Sequence, residues 1–129
     1  ETQVIGVEPK LADDAYRSFK EGKLYPSSYP NTIADGLRTS LGENTFRIIR
    51  ENVHDIVLVS EEEIVNAMQF LWERMKLVVE PSGAVSLAGV LSKRIPVKNK
   101  KVGIIISGGN IDLTEFFALL RQRISQYNS

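Results

Sequence analysis

The sequence predicts an α/β fold in which a parallel β-sheet is flanked by helices. Apolar runs alternate along the chain with helical segments, and these runs are continuously apolar instead of alternating in polarity. Continuous apolarity is typical of strands that covering helices bury on both faces. The length of 129 residues suits one domain, so we expect residues 1–129 to form a single segment.

Composition narrows the classes of function. The 16 basic and 16 acidic side chains cancel, so the basic excess of a typical nucleic-acid-binding protein is missing. No apolar stretch approaches the length of a membrane span. We therefore expect neither nucleic-acid nor membrane partners, and the lack of cysteine fits a cytoplasmic location. The chain begins Glu1-Thr2-Gln3-Val4, without Met or a signal peptide, so we expect a processed product or part of a longer chain.

The first third of the chain predicts a strand, a helix and a loop. Residues 4–7 form a short β-branched run that Pro9 is expected to stop. Residues 12–20 predict a helix, because acidic residues occupy its first turn and Gly22 follows its end. Residues 23–31 contain two prolines and indicate a loop.

The middle of the chain predicts a second strand between two helices. A helix is expected from Glu43 or Asn44 to about Asn52, and residues 55–59 form the second buried strand. Ser60-Glu61-Glu62-Glu63 has the form of a capping box, in which each end satisfies a free amide of the other. The helix that it starts carries apolar side chains on one face: Ile64, Met68, Leu71, Trp72 and Met75.

The last third predicts two more helices and a third strand. Pro81 suits the first turn of a helix that continues through Leu91. Residues 101–106 predict a third buried strand, closed by the turn Ser107-Gly108-Gly109-Asn110. A final amphipathic helix is predicted from its spaced apolar residues: Leu113, Phe116, Phe117 and Leu120.

Polar residues just beyond the strands are the first candidates for a site, because ligands of parallel sheets gather at the carboxyl ends of strands. Ser107 offers a hydroxyl at such an end, and the two glycines after it let a ligand approach closely. The same residues also fit a tight turn in which Asn110 caps the next helix. The residues alone leave both interpretations open.

Acidic residues surround the first strand-to-helix turn, where Glu8 is followed by Asp13 and Asp14. Their oxygens suit Mg²⁺ or Ca²⁺, with a backbone carbonyl completing part of the shell. Acids in a first helical turn also complement the helix dipole without any metal. Taken alone, the residue pattern favours the dipole interpretation.

Other polar and aromatic residues have plain structural interpretations. Glu80 is expected to start a helix, and His54 to lie in a solvated loop, because no serine or cysteine nucleophile motif accompanies it. The run Glu61-Glu62-Glu63 is expected to be a cap and a solvated face, and residues 98–101 a solvated turn. Three side chains are expected in the core: Met68, Trp72 and Met75.

Five groups of residues occur in one order that resembles a known family. They are Val7-Glu8-Pro9 with Ala12-Asp13-Asp14, Thr32-Ile33-Ala34-Asp35-Gly36, Trp72-Glu73-Arg74-Met75-Lys76, Val79-Glu80-Pro81-Ser82-Gly83-Ala84 and Ile106-Ser107-Gly108-Gly109-Asn110. The chain resembles the carboxyl-terminal part of the large domain in the serine racemase and serine/threonine ammonia-lyase family. Members of that family are fold type II pyridoxal phosphate enzymes, of the tryptophan-synthase-β-like fold.

The resemblance implies a cofactor site and a cation site. Ser107 matches the residue whose hydroxyl bonds the pyridine nitrogen of pyridoxal 5'-phosphate, and Glu80 matches a carboxylate beside the cofactor. A neutral hydroxyl does not hold that nitrogen protonated, which suits β-elimination. The implied site for Mg²⁺, Ca²⁺ or Mn²⁺ has four contributors: Glu8, Ala12 through its carbonyl, Asp14 and, in an outer position, Asn44.

The resemblance also implies an assembly. Arg74, Lys76 and Asn110 match positions that contribute to nucleotide binding, with ATP as the ligand, at a subunit interface of animal serine racemases. The complete enzyme is expected to be a homodimer. The family's Schiff-base lysine, set in serine-x-lysine-x-arginine-glycine, and its glycine-rich phosphate loop do not occur in this sequence. We therefore expect no catalytic residue here and an upstream part of the same enzyme as partner.

The implied function is that of the complete enzyme. It is the deamination of L-serine or L-threonine to a 2-oxo acid and ammonia, or the racemisation of serine. The alternative is a non-catalytic α/β module that kept these motifs and binds a small ligand or a partner. A companion polypeptide with the lysine and the glycine loop, or a visible absorption band, would separate the two.

Overall fold

In the described residues, one strand is followed by two α-helices and a second strand by three. The computed structural model describes residues 2–127, with the surroundings of side chains up to residue 122. The strands and α-helices are β1 Ile5–Pro9, α1 Asp14–Glu21, α2 Glu43–Asn52, β2 Asp55–Val59, α3 Glu61–Phe70, α4 Pro81–Leu91 and α5 Leu113–Tyr127. Two short helical stretches lie between them, a 3₁₀-helix at Asp35–Leu37 and a π-helix at Leu71–Met75. Among the described residues, no helix is long and apolar enough to cross a membrane.

The two strands pair in parallel, as predicted. Ile5 lies opposite Asp55, and the register continues to Pro9 opposite Val59. Parallel neighbours need a long crossover, which α1 and α2 supply. β1 runs two residues past its predicted end, because the nitrogen of Pro9 faces away from β2. The ladder continues through the N–H of Lys10, which donates to the carbonyl of Val59 at 2.8 Å.

Helices cover both faces of this pair. Val7 points to α4, where a Cβ on Gly89 would lie 2.7 Å from Val7 Cγ2. Glu8, the next residue, points to the opposite face and to α1. The core lies mainly where α4 packs against α3 and the strands. Its fully buried members include Val59, Ile64, Met68, Leu71, Ala84, Ala88 and Phe116.

The predicted third strand is wrong. Residues 101–106 form no strand, and no described strand pairs with them. Ile104 and Ile106 pack against the core, whereas Ile105 between them is 84% exposed. Instead of a ladder, the Ser86 hydroxyl on α4 donates to the Ile105 carbonyl at 2.7 Å. An apolar run becomes a strand only where a neighbouring strand takes up its amides and carbonyls.

Helix ends follow the local signals closely, with two exceptions. Gly22 ends α1 in the left-handed region with φ 69°, and both bonds of the Ser60–Glu63 capping box are present. α1 begins at Asp14, two residues later than predicted. The interpretation of Asn110 as a cap is wrong, because the carboxylate of Asp112 accepts from the N–H groups of Thr114 and Glu115 at the start of α5.

Two of the three side chains expected in the core lie there or at its edge. Met68 is buried, and Trp72 is half-buried against Phe116 and Phe117, with ring centroids at 6.1 and 5.5 Å. Met75 is 57% exposed, so its predicted burial is wrong. The π-helical stretch at Leu71–Met75 winds wider than an α-helix, which turns Met75 off the apolar face of α3.

Candidate functional site

The Ser107 turn lies on the amino-terminal half of α4. The N–H of Glu80, the residue before α4, is directed at the carbonyl of Gly108 at 3.4 Å. Glu80 is half-buried and Ser107 is exposed. The structure thus brings Ser107 and Glu80, which are 27 positions apart in the sequence, to one place.

Glycines make this close approach feasible. A Cβ on Gly83 would overlap the backbone carbonyl of Ser107, and one on Gly108 would overlap the Glu80 carboxylate. A Cβ on Gly109 would lie 2.8 Å from the carbonyl of Val78. Gly108 also has φ 75°, a backbone conformation that side chains disfavour. The turn therefore packs backbone to backbone against residues 78–83.

A second loop is attached to the same end of α4. The N–H of Gly36 donates to the Ser82 hydroxyl at 3.0 Å, in the first turn of α4. The N–H of Ile33 donates to Oε2 of Glu61 at 2.7 Å, so α3 holds this loop as well. Glu61 is therefore more than a solvated acid, which corrects that part of the expectation for residues 61–63. The loop over residues 32–37 and the Ser107 turn flank Glu80 through these contacts.

Glu8 and Asp14 meet at the other candidate site, where β1 leads into α1. The N–H groups of Ala15 and Tyr16 donate to the two oxygens of Glu8, at 3.2 and 2.7 Å. Asp14 is 2% exposed, and its Oδ1 is buried without a hydrogen-bond partner. Ala12, whose carbonyl is the third expected contributor, is buried beside them in the same turn.

Burial controls the protonation of these two acids. It raises the pKa of Glu8 to about 7, from an ordinary value of 4.5, and the neighbouring charge of Asp14 raises it further against the lowering effect of its hydrogen bonds. Burial also raises the pKa of Asp14, and a hydrogen bond from the N–H of Leu41 opposes this rise. Ionising two neighbouring buried carboxylates costs free energy, and a divalent cation bound between them offsets that cost.

The two interpretations of this acidic turn apply to different residues. Asp13 pairs with Arg17 at 2.9 Å, and Glu8 caps the free amides of α1, so the helix-end interpretation explains both. It does not explain Asp14, because the orphaned Oδ1 takes no part in capping. The donor set of Glu8, Asp14 and the Ala12 carbonyl fits a hard cation. Within the described residues, no cluster of three or more acidic or histidine side chains is placed to hold a metal.

The remaining predicted residues lie on the surface. Asn44 is exposed in the first turn of α2, three residues after Leu41. Lys76 ends the π-helical stretch with φ 59°, and its ammonium donates to the carbonyl of Glu73 at 2.9 Å. Arg74 and Asn110 are exposed. His54 is exposed beside Gln3, as expected for a solvated histidine.

Comparison with known proteins identifies the family. Residues 1–108 match the family described as "Pyridoxal-phosphate dependent enzyme". The chain belongs to this family. It is 50% identical over 119 residues to the L-threo-3-hydroxyaspartate ammonia-lyase of Saccharomyces cerevisiae, covering 92% of this chain and 36% of that protein. It is 46% identical over 133 residues to human serine racemase, covering 98% of this chain and 39% of that protein.

Solved structures of family members agree with the fold of this chain. Maize serine racemase superposes with a TM-score of 0.82 at 40% identity, covering 94% of this chain and 40% of that one. The expected relationship to fold type II pyridoxal phosphate enzymes is confirmed. The chain spans less than two fifths of the length of the curated relatives described above.

Three contributors to the site were missed at the sequence level. Ser82, Gly83 and Glu61 lie in motifs that the sequence displays, but their roles depend on which distant segment contacts them. For Gly83 a signal exists, since a glycine inside a helix weakens it and so indicates close packing. Ser82 and Glu61 offer no such signal, because serine and glutamate are common in first helical turns.

Proposed function

We propose that this chain is part of a pyridoxal phosphate-dependent ammonia-lyase for β-hydroxy-α-amino acids. Serine, threonine and 3-hydroxyaspartate, which the names of the relatives contain, all carry a hydroxyl on the β carbon. L-Serine or L-threonine is converted to a 2-oxo acid and ammonia. The β-hydroxyl leaves as water, and one water molecule releases the nitrogen, so the net products are the oxo acid and ammonia alone. Racemisation of serine is the second activity that the relatives support.

The placement of Ser107 beside Glu80 carries this proposal. Ser107 offers an exposed hydroxyl, and Gly108 and Gly109 let its turn pack closely against Glu80 and Val78. This arrangement fits the pyridine nitrogen of the cofactor, with the Glu80 carboxylate alongside. When bound, pyridoxal phosphate supplies the electron sink for the substrate. A neutral hydroxyl partner tempers that sink, which favours elimination, because the leaving hydroxyl removes the negative charge.

The cation site belongs to the same proposal. Glu8, Asp14 and the carbonyl of Ala12 would hold Mg²⁺, Ca²⁺ or Mn²⁺, with Asn44 as an outer contributor. The buried, unpartnered Oδ1 of Asp14 and the raised pKa of Glu8 support this placement. An ion that binds only the folded protein would stabilise it by linkage.

The proposal extends to the assembly of the complete enzyme. We propose a cytoplasmic homodimer that also contains the segment with the Schiff-base lysine. Arg74, Lys76 and Asn110 would contribute to ATP binding at the subunit interface. Their exposure supports a role at a surface.

The proposal is tested in the complete enzyme by replacing Ser107 with alanine. Wild-type enzyme is expected to show a visible absorption band and to release 2-oxo acid from L-serine or L-threonine. Ser107→Ala is expected to lower kcat/KM by about 10- to 100-fold, the scale of a lost, well-placed catalytic contact. The matched control is Ser28→Ala, an exposed loop serine, which should leave the rate unchanged.

Two results would count against this function. Unchanged kinetics in Ser107→Ala would remove Ser107 from the site. A complete enzyme without cofactor absorbance or turnover would favour the non-catalytic α/β module instead.

A further inference from the structure

We propose that Gly83 is a positioning residue for Ser107: the bare backbone of α4 at this position seats the Ser107 carbonyl and thereby sets where the Ser107 hydroxyl lies. The inference rests on the proposed function, because it concerns the hydroxyl that would face the cofactor. Gly83 itself is buried and touches neither substrate nor cofactor in this proposal. It acts through the turn.

Glu80, the residue before α4, and two residues of α4 hold the segment that leads to the turn. Glu80, Gly83 and Ser86 are spaced by three, so they follow one another along the same side of the helix. Glu80 lies against Gly108, Gly83 lies against Ser107, and Ser86 bonds the carbonyl of Ile105. The order of partners is reversed along the chain, so residues 105–108 run antiparallel to α4 across this face.

Of the three contacts, the one at Gly83 is the least able to accommodate an added side-chain atom. A Cβ there would overlap the carbonyl oxygen of Ser107 and lie 2.9 Å from its carbonyl carbon. Both atoms are backbone, so no side-chain rotation relieves the overlap, and the turn itself has to move. A glycine inside a helix weakens that helix relative to alanine, and here the close backbone contact accounts for it.

Displacement of the turn would reach the hydroxyl directly. Within the part of the chain that the structure describes, residues 105–108 contact α4 through the Ser86 hydroxyl and the bare backbone at Gly83. These contacts restrain the approach to Ser107. A shift of about 1 Å in a positioned group is enough to cost on the order of 100-fold in rate.

The test is a double-mutant cycle between Gly83→Ala and Ser107→Ala in the complete enzyme. The readouts are the dissociation constant of pyridoxal phosphate, the absorption spectrum of the bound cofactor and kcat/KM. Gly83→Ala is expected to weaken cofactor binding and kcat/KM by about 10- to 100-fold and to shift the spectrum. In the Ser107→Ala background the same substitution should have little further effect, because both changes remove one contact.

Two glycines of the chain provide matched controls. Gly103→Ala adds a methyl group to the same segment, where nothing lies within 4 Å, and should leave all three readouts unchanged. Gly89→Ala lies on α4 but meets the Val7 side chain instead of the turn. It should lower the melting temperature, and its effect on cofactor binding should persist unchanged in the Ser107→Ala background.

A third variant keeps the test decisive if Gly83→Ala does not fold. Ser86→Ala adds no atoms and removes the 2.7 Å hydrogen bond to the Ile105 carbonyl. It should weaken cofactor binding less than Gly83→Ala would, and again without further effect in the Ser107→Ala background. If the effects of Ser107→Ala and of Gly83→Ala or Ser86→Ala are additive, this inference is overturned and the proposed function is not affected. A complete wild-type enzyme that binds no cofactor would overturn the proposed function, and this inference with it.

Discussion

Cation binding at the β1–α1 turn should depend steeply on pH between 6 and 8. Burial raises the pKa of Glu8 to about 7, and an incoming cation needs the ionised carboxylate. Binding therefore displaces a proton from those molecules in which Glu8 is protonated. The affinity for the cation should rise with pH through this range and level off above it. A site whose carboxylates stay ionised throughout would show no change.

The size of the effect follows from the protonated fraction. With a pKa of about 7, Glu8 is ionised in about one tenth of molecules at pH 6, half at pH 7 and nine tenths at pH 8. The apparent affinity should therefore increase about fivefold from pH 6 to 7 and less than twofold from pH 7 to 8. At the ordinary pKa of 4.5 the whole change over this range would be about 3%.

Titration calorimetry of the complete enzyme with Mg²⁺ measures both quantities. Repeating the titration at pH 7 in buffers of different ionisation enthalpy should reveal release of about half a proton per ion. Glu8→Gln should bind the ion weakly and release no proton. Glu62→Gln, an exposed acid in the first turn of α3, is the control and should behave as wild type. Equal affinity at pH 6 and 8 without proton release would refute the reasoning, and no binding at all would leave the helix-end interpretation of these acids.

Two further predictions concern folding. The 129-residue chain expressed alone should aggregate and show no deaminase activity, because Ile105 is 84% exposed and the described sheet has only two strands, which is marginal in water. Co-expression with a segment that carries the Schiff-base lysine should restore solubility. A cooperatively melting monomer in sedimentation would contradict this and favour the non-catalytic module. Ser60→Ala should destabilise the complete enzyme by about 1 kcal/mol in chemical denaturation, because it removes the side-chain bond of the α3 capping box, whereas Ser28→Ala should have no measurable effect.

Elements with local causes were predicted well. β2 has the predicted bounds, and the Ser60–Glu63 box and the Gly22 end of α1 depend on residues within one helical turn of each other. The meeting of Glu8 with Asp14 was also predictable, since only one turn separates them. These features need no knowledge of distant segments.

Features that depend on distant partners were not predictable from composition or spacing. Met75 follows apolar helical spacing, yet the π-helical stretch turns it outward. Asn110 is as good a capping residue as Asp112, and only the position where α5 begins selects between them. The bond between Gly36 and Ser82 joins residues 46 positions apart, so no local pattern indicates it.

The prediction of Ser107 as a site residue rested partly on a strand over residues 101–106 that the structure does not contain. Ser107 was singled out because it would follow a buried strand, where ligands of parallel sheets gather. In the structure that run is not a strand, and α4 seats the turn through Gly83 and Ser86. A continuously apolar run indicates burial, but burial is satisfied equally by a sheet and by the side of a helix. The position of Ser107 is therefore encoded partly in the small residues of α4, and changes on that helix should affect the site as directly as changes in the turn.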